Sequence, residues 1–273
     1  MTNSNVSLDD KYSIESGRIF VTGVQALARI PMVQRQRDVL EGLNTAGFIS
    51  GYRGSPVGGF DQQLWRAKKF LEQNHIRFQP GLNEDLAASA IWGSQQTNLH
   101  EGGKYDGVFA IWYGKGPGVD RCGDVFKHGN MSGPAKHGGV LLIAGDDHAA
   151  KSSTVPHQSE YAFMDASIPV LNPAGLQDIV DYGILGFAMS RFSGCWVAFK
   201  TTAENMDSSA SIDVSPDRVK ISLPKFDMPE GGLSIRWPDD WIEQEHRLHQ
   251  YKLNAVRAFA RQNKIDKTII NSQ

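Results

Sequence analysis

The stretch Val108-Phe109-Ala110-Ile111-Trp112-Tyr113 decides the fold of this chain, and Val140-Leu141-Leu142-Ile143-Ala144 repeats its character. Both runs are apolar or aromatic at every position, so neither face of the predicted strand is suited to water. Strands with two buried faces are typical of parallel sheets covered by helices on both sides, because apolar and polar residues alternate along a strand only where one of its faces is exposed to solvent. Further short strands are predicted at 48–52, 76–79, 170–171 and 195–200. The sequence therefore predicts an α/β fold, a doubly wound and mainly parallel sheet with helices on both faces.

Helical periodicity fills the stretches between these strands. Helices are predicted at 32–44, 61–73, from Asn83 onward, 124–128, 160–166 and 176–191. Asn83 is the predicted cap of its helix, and Leu86, Ala90 and Ile91 are the predicted buried stripe. The predicted organisation is an N-terminal extension at 1–19, an α/β domain at 20–204, a linker or arm at 205–238, an amphipathic helix at 239–264 and the start of a following domain at 265–273.

Composition and charge narrow the class of protein. The 273 residues are 40% hydrophobic and carry a net charge of -2, without a basic block that would bind a phosphate backbone, so nucleic acid is not an expected partner. The two cysteines, Cys122 and Cys195, are too few and too far apart for an iron–sulfur cluster or a disulfide scaffold. Neither a signal peptide nor an apolar run near the roughly 20 residues of a membrane span is visible. We expect a cytoplasmic protein.

Four unusual loops follow the predicted strands, at 51–61, 81–85, 112–120 and 145–158. Ligands of open α/β sheets bind at the carboxyl ends of strands, so these loops are the candidate site. From the residues alone, each is also compatible with a purely structural turn or helix cap. The glycines at 114–118 resemble a dinucleotide fingerprint only superficially, because Val119 takes the place of the third glycine. Asp146, Asp147, His148 and His157 are compatible with a metal site or with loop capping, and we predict no metal in this chain.

Taken in order, the four loops resemble the pyrimidine-binding domain of the 2-oxoacid:ferredoxin oxidoreductases, and within that family the long, fused bacterial indolepyruvate branch. The segments that carry the resemblance are 52–56, 83–84, 112–121, 145–148 with 152–153, 171–175 and 188–191. It runs from about Phe20 to Thr202 and continues more weakly into the last helix.

The resemblance implies thiamine diphosphate as the cofactor. In such enzymes a glutamate at this helix start hydrogen-bonds N1′ of the aminopyrimidine and favours the tautomer that removes the C2 proton, which implies a catalytic role for Glu84. The positions implied to bind the cofactor are Tyr52, Gly54, Ser55, Pro56 and Asn83. Arg53 is the position implied to bind the 2-oxoacid carboxylate, and Lys115 and Arg121 are second candidates for the substrate or for the neighbouring domain.

The resemblance also implies parts that this chain does not carry. The diphosphate, its magnesium ion and the iron–sulfur clusters belong to other domains, so a diphosphate-binding domain or subunit, ferredoxin, coenzyme A and a 2-oxoacid are the expected partners. The chain is expected to be an incomplete piece that is inactive alone and that oligomerises through its last helix. A non-catalytic assembly domain, a truncated remnant of the same fold and an unrelated nucleotide-binding enzyme remain alternatives.

Overall fold

A computed structural model describes residues 6–271, so residues 1–5 of the predicted extension and 272–273 of the predicted following domain lie outside it. A six-stranded sheet in the order β3-β2-β4-β5-β7-β6 forms its centre. The strands, in chain order, are β1 (Arg18–Thr22), β2 (Ala46–Gly51), β3 (Ile76–Phe78), β4 (Val108–Lys115), β5 (Val140–Asp146), β6 (Val170–Leu171), β7 (Val197–Thr202) and β8 (Ser209–Asp213). Every strand pair in this sheet is parallel. The predicted fold class is confirmed.

Helices cover both faces of the sheet. They are α1 (Asp10–Ser13), α2 (Gly23–Leu40), α3 (Phe60–Arg66), α4 (Lys68–Gln73), α5 (Glu84–Gln95), α6 (Gly116–Arg121), α7 (Gly123–Ser132), α8 (Glu160–Asp165), α9 (Leu176–Ser193), α10 (Ala203–Asp207), α11 (Trp241–Arg247) and α12 (Leu253–Gln262). Neighbouring strand residues feed two separate apolar cores: Ile111 packs in the core beneath α2 and α9, and Trp112 packs in the core beneath α5 and α7. This division is why β4 and β5 are apolar at successive positions.

The helix predicted from Met32 begins earlier, at Gly23, and passes through Pro31. A proline inside a helix removes one backbone hydrogen bond, which is why the sequence favoured a start beyond it. Thr22 and Gln25 form a capping box at the true start, where Gln25 Oε1 accepts from the Thr22 amide at 3.0 Å. Burial of α2 against α9 offsets the lost hydrogen bond, and Pro31 itself is buried.

The buried stripe predicted for α5 was wrong in two of its three members. Leu86 is 52% exposed and Ala90 is also exposed, whereas Ala87, Ala88 and Ile91 face the sheet. The helix is apolar on both sides, so periodicity alone did not indicate which side meets the sheet.

The predicted arm at 205–238 is regular in its first part. It contains the end of α10 and all of β8, which pairs antiparallel with β1 in a separate two-stranded sheet from Arg18↔Asp213 to Thr22↔Ser209. Only one residue of β8, Ile212, is buried, so the strand carries almost no hydrophobic signal. The pairing links the predicted extension to the predicted arm.

The last helix begins at Trp241, inside the range predicted at 239–264, and a π-helical segment (Leu248–Lys252) joins α11 to α12. Phe259 of α12 is fully buried and lies 5.9 Å from the Phe192 ring of α9, measured between ring centroids. The α/β domain therefore covers at least part of the apolar stripe of this helix. Within residues 6–271, no helix has the length and apolar content needed to cross a membrane.

Candidate functional site

The carboxyl ends of β2, β4 and β5 bring the predicted loops together. These strands are neighbours and parallel, with Gly51 opposite Tyr113 and Lys115 opposite Gly145. Gly81, which precedes α5, donates its amide to the Gly51 carbonyl at 2.8 Å. The loop after β2, the start of α5, the loop after β4 and the loop after β5 therefore meet at one edge of the sheet.

The loop after β2 lies across the ends of its neighbours. The Tyr52 amide donates to the Tyr113 carbonyl at 3.0 Å. Gly54 packs against the Lys115 side chain, and Pro56, which follows a cis peptide bond, packs against Gly145. Arg53 and Ser55 are exposed. The side chain of Arg53, the substrate candidate in this loop, is therefore open to solvent.

Glu84 is the first residue of α5, and two contacts fix it there. The Asn83 side chain accepts a hydrogen bond from the Leu86 amide at 2.8 Å, which confirms the predicted cap. The indole of the buried Trp112 donates to the Glu84 carbonyl at 3.0 Å, so the first turn of α5 is tied to β4. The Glu84 side chain is only 13% exposed.

The carboxyl group of Glu84 faces α6, which forms a wall beside it. Arg121 Nη1 lies 3.5 Å from Glu84 Oε2. A Cβ atom at Gly118 would come within 2.5 Å of Glu84 Cγ and 2.8 Å of Oε1, so only glycine lets α6 approach this closely. The position of α6 therefore determines where the carboxyl group sits.

Lys115, implied to bind substrate, makes a structural contact. Its Nζ donates to the Ser152 carbonyl at 2.5 Å, in the loop that follows β5. Arg121, by contrast, is paired with Glu84 and keeps 58% of its side chain exposed. Arg121 therefore lies next to Glu84, whereas Lys115 joins the end of β4 to the loop after β5.

The acidic residues after β5 organise their own loop. Asp147 accepts hydrogen bonds from the amides of Lys151 and Ser152, at 3.0 and 2.7 Å, and the Ser152 bond contributes most to a lowered pKa of Asp147. Asp146 accepts from the Ser159 amide at 2.9 Å and from its hydroxyl at 2.5 Å. Within the described residues, no group of three His, Cys, Asp or Glu side chains is arranged to hold a metal ion. Capping of the loop accounts for both carboxylates.

His157 bridges this loop to α6, a contact that the sequence did not predict. Its Nε2 lies 2.8 Å from Asp120 Oδ2, and its Nδ1 lies 3.7 Å from Asp146 Oδ1. The side chain is 13% exposed. His157 and Asp120 are 37 residues apart, in two of the four loops described above, and nothing in either loop indicated that these two side chains meet.

Asp61 and Tyr113 form a second buried polar group that the sequence did not single out. Burial raises the pKa of Asp61, while the neighbouring Tyr113 hydroxyl and the charge of Arg53 act in the opposite direction. Burial also raises the pKa of Tyr113, with Asp61 adding to the effect. Asp61 Oδ1 and the Tyr113 hydroxyl are both buried without a hydrogen-bond partner among the described residues.

Comparison with known proteins identifies the fold. No protein-family model and no curated protein sequence matches the chain. Among solved structures, 132 chains match. One is a 2-oxoglutarate:ferredoxin oxidoreductase from Magnetococcus marinus, whose structure contains 2-oxoglutarate, coenzyme A and succinyl-CoA; the TM-score is 0.58 and the identity 14%.

The similarity covers 89% of this chain and 46% of the Magnetococcus chain, so this chain spans about half the length of that chain. An identity of 14% establishes a shared fold and leaves the chemistry to be argued from the site. The chain therefore has the α/β fold of part of a 2-oxoacid:ferredoxin oxidoreductase.

Proposed function

We propose that this chain is the aminopyrimidine-binding and activating domain of a thiamine diphosphate-dependent 2-oxoacid:ferredoxin oxidoreductase. The observation that carries the proposal is the placement of Glu84. A carboxyl group with 13% exposure lies at the start of α5, at the carboxyl edge of a parallel sheet, within a fold shared with such an oxidoreductase.

The residues around Glu84 suit an aromatic ring. Three apolar side chains are exposed in the two segments that meet here: Leu82 (87% exposed), Leu86 (52% exposed) and Tyr52. A ring nitrogen that must exchange a proton needs this combination of an apolar face and one titratable group. Thiamine diphosphate, when bound, supplies the carbon nucleophile for decarboxylation of a 2-oxoacid.

The chain's own contribution is to hold a proton at the Glu84 carboxyl and to orient that group. Asn83 and Trp112 fix the first turn of α5, and α6 limits the side chain on one side. Covering the site with a second protein would remove the remaining water and strengthen each electrostatic contact there. Glu84 and a ring nitrogen would then share one hydrogen bond, along which the proton passes in either direction.

The substrate carboxylate is assigned to exposed guanidinium groups. Arg53 and Arg121 both lie at the same sheet edge as Glu84 and are exposed, and a guanidinium matches a carboxylate with two parallel donors. Lys115 retains two further N–H donors beyond its bond to Ser152, which leaves it a secondary candidate. Indolepyruvate or another aryl pyruvate is the proposed substrate class, with oxidative decarboxylation to the acyl-CoA.

The proposed partners follow from what the complete reaction needs. A module that binds the diphosphate and magnesium would cover Leu82 and Leu86 beside Glu84, and ferredoxin would receive the electrons through clusters held outside this chain. Cytoplasmic location and oligomerisation belong to the same proposal.

One observation favours a non-catalytic alternative. The contact between Arg121 and Glu84 gives the carboxyl group a counter-ion without any cofactor, as in a structural ion pair. In that case Glu84 would serve to hold α6, and the domain would act in assembly only.

Replacement of Glu84 by glutamine distinguishes the two functions. In the complete enzyme, Glu84→Gln should slow deuterium exchange at C2 of bound thiamine diphosphate by about 100-fold, within the range that general acid–base groups contribute. Asp85→Asn is the matched control, because Asp85 is the next residue in the same helical turn. Exchange at the parental rate in Glu84→Gln, with the cofactor still bound, would refute the catalytic role.

A further inference from the structure

The loop after β5 is anchored to the sheet two residues from His157. Asp146, the last residue of β5, is 1% exposed and binds both the amide and the hydroxyl of Ser159. Lys200 of β7 supports the same carboxylate, with its Nζ 3.7 Å from Asp146 Oδ2. The backbone that carries His157 is therefore fixed to the rigid centre of the domain.

From that anchor, the imidazole reaches across to α6. Its Nε2 lies 2.8 Å from Asp120 Oδ2, and a Cβ at Gly116 would come within 2.2 Å of its Nδ1. Nδ1 is buried and has no hydrogen-bond partner, and both oxygens of Asp146 are engaged by Ser159. Nε2 is therefore the ring nitrogen that bonds to Asp120.

Helix α6 is the same element that limits Glu84. It has six residues, and within it Asp120 adjoins Arg121, which pairs with Glu84, while Gly118 contacts the Glu84 side chain. A displacement of α6 by a few tenths of an ångström would move both contacts. The bond from His157 to Asp120 thus fixes the wall against which the carboxyl group rests.

We propose that His157 is a positioning residue that, through Asp120, holds α6 against Glu84 and so sets the direction of the carboxyl group. The inference rests on the proposed function of Glu84 and extends it to two residues that do not touch the cofactor. Its chemical basis is a charge-assisted hydrogen bond, which contributes more than a neutral one.

The test measures two quantities in the complete enzyme: C2 deuterium exchange of bound thiamine diphosphate and the affinity for that cofactor. His157→Ala and Asp120→Ala should each slow exchange by about tenfold, corresponding to about 1.4 kcal/mol. The affinity should change by less than about threefold, because most of the binding comes from the diphosphate held elsewhere. The double variant should be no slower than either single variant, because both remove the same contact.

Two conservative variants separate positioning from a loss of structure. Asp120→Asn keeps an acceptor for Nε2 and His157→Gln keeps a donor, so both should restore at least half of the lost rate. His128→Ala is the matched control, because it removes another histidine–aspartate contact, the one of 3.6 Å to Asp124 within α7. It should leave exchange unchanged.

The outcomes also separate this inference from the proposed function. If Glu84→Gln abolishes exchange while His157→Ala and Asp120→Ala retain the parental rate, the positioning role is wrong and the catalytic role stands. Additive losses in the double variant would likewise overturn the inference. If His157→Ala does not fold, Asp120→Ala gives the same reading, since its side chain is 59% exposed and its removal leaves the core intact.

Discussion

One buried lysine should make a contribution to the stability of this chain that rises with pH between about 8 and 10.5. Lys252, in the π-helical segment of the last helix, is fully buried, and its Nζ donates to the carbonyls of Asn130 and Met131 at 3.1 and 2.7 Å. Burial lowers the pKa of Lys252 from 10.5 to about 8.

The direction of this change follows from the number of protons that the folded and unfolded states bind. Between pH 8 and 10.5 the unfolded chain binds a proton at Lys252 that the folded chain has lost, so the contribution of Lys252 to the free energy of unfolding increases with pH across that window. A difference of about 2.5 pH units, at about 1.36 kcal/mol per unit, gives about 3 kcal/mol in total. Below pH 8 this gain is absent, because both states carry the charge.

Urea unfolding at intervals from pH 7.5 to 10.5 measures the effect by comparing the parental chain with Lys252→Met. Burial raises the pKa of the Cys195 thiol to about 11 and that of Tyr12 to about 12, which lowers stability at high pH in both proteins. The difference between parent and variant therefore isolates Lys252. Lys225→Met, at an exposed position, should retain the parental slope. An unchanged slope in Lys252→Met would show that the lysine is not charged differently in the two states.

Two further changes test the packing and the partner surface. Arg191→Lys should lower the free energy of unfolding by about 3 kcal/mol, measured by urea unfolding, because Arg191 makes two bonds of 2.6 and 2.8 Å to the buried Asp38 that a lysine cannot reproduce; a loss below about 0.5 kcal/mol would contradict this. Leu86→Glu should leave the melting temperature of this chain within about 2 °C and weaken its binding to the diphosphate-binding module by about tenfold, measured by calorimetry, because Leu86 is exposed on the face proposed for that partner; undiminished binding would place the partner elsewhere.

The sheet was predictable because its central strands carry the information locally. Every residue of β5 is buried, and an apolar run of this kind is compatible with few arrangements other than a covered parallel strand. The cap at Asn83 was predictable for the same reason, since it depends on residues within one turn.

Long-range contacts were not predictable from the same sequence. The pairing of β1 with β8 joins Arg18 to Asp213, and β8 has one buried residue to indicate it. The contact between His157 and Asp120 likewise depends on where two loops end after the sheet has formed. In both cases the residue types are common ones, and only geometry gives them a role.

The two-sided character of α5 links the fold to the proposed chemistry. One side of the helix is buried by the sheet, and its first turn exposes Leu86, while the Glu84 side chain, two residues earlier, is only 13% exposed. A protein that covers the whole first turn of α5 would exclude the remaining water from Glu84, and a proton shared with a ring nitrogen is held most firmly where water does not compete. The same contact would therefore bury the apolar face and complete the catalytic environment, so assembly and activity should be lost together in variants of that face.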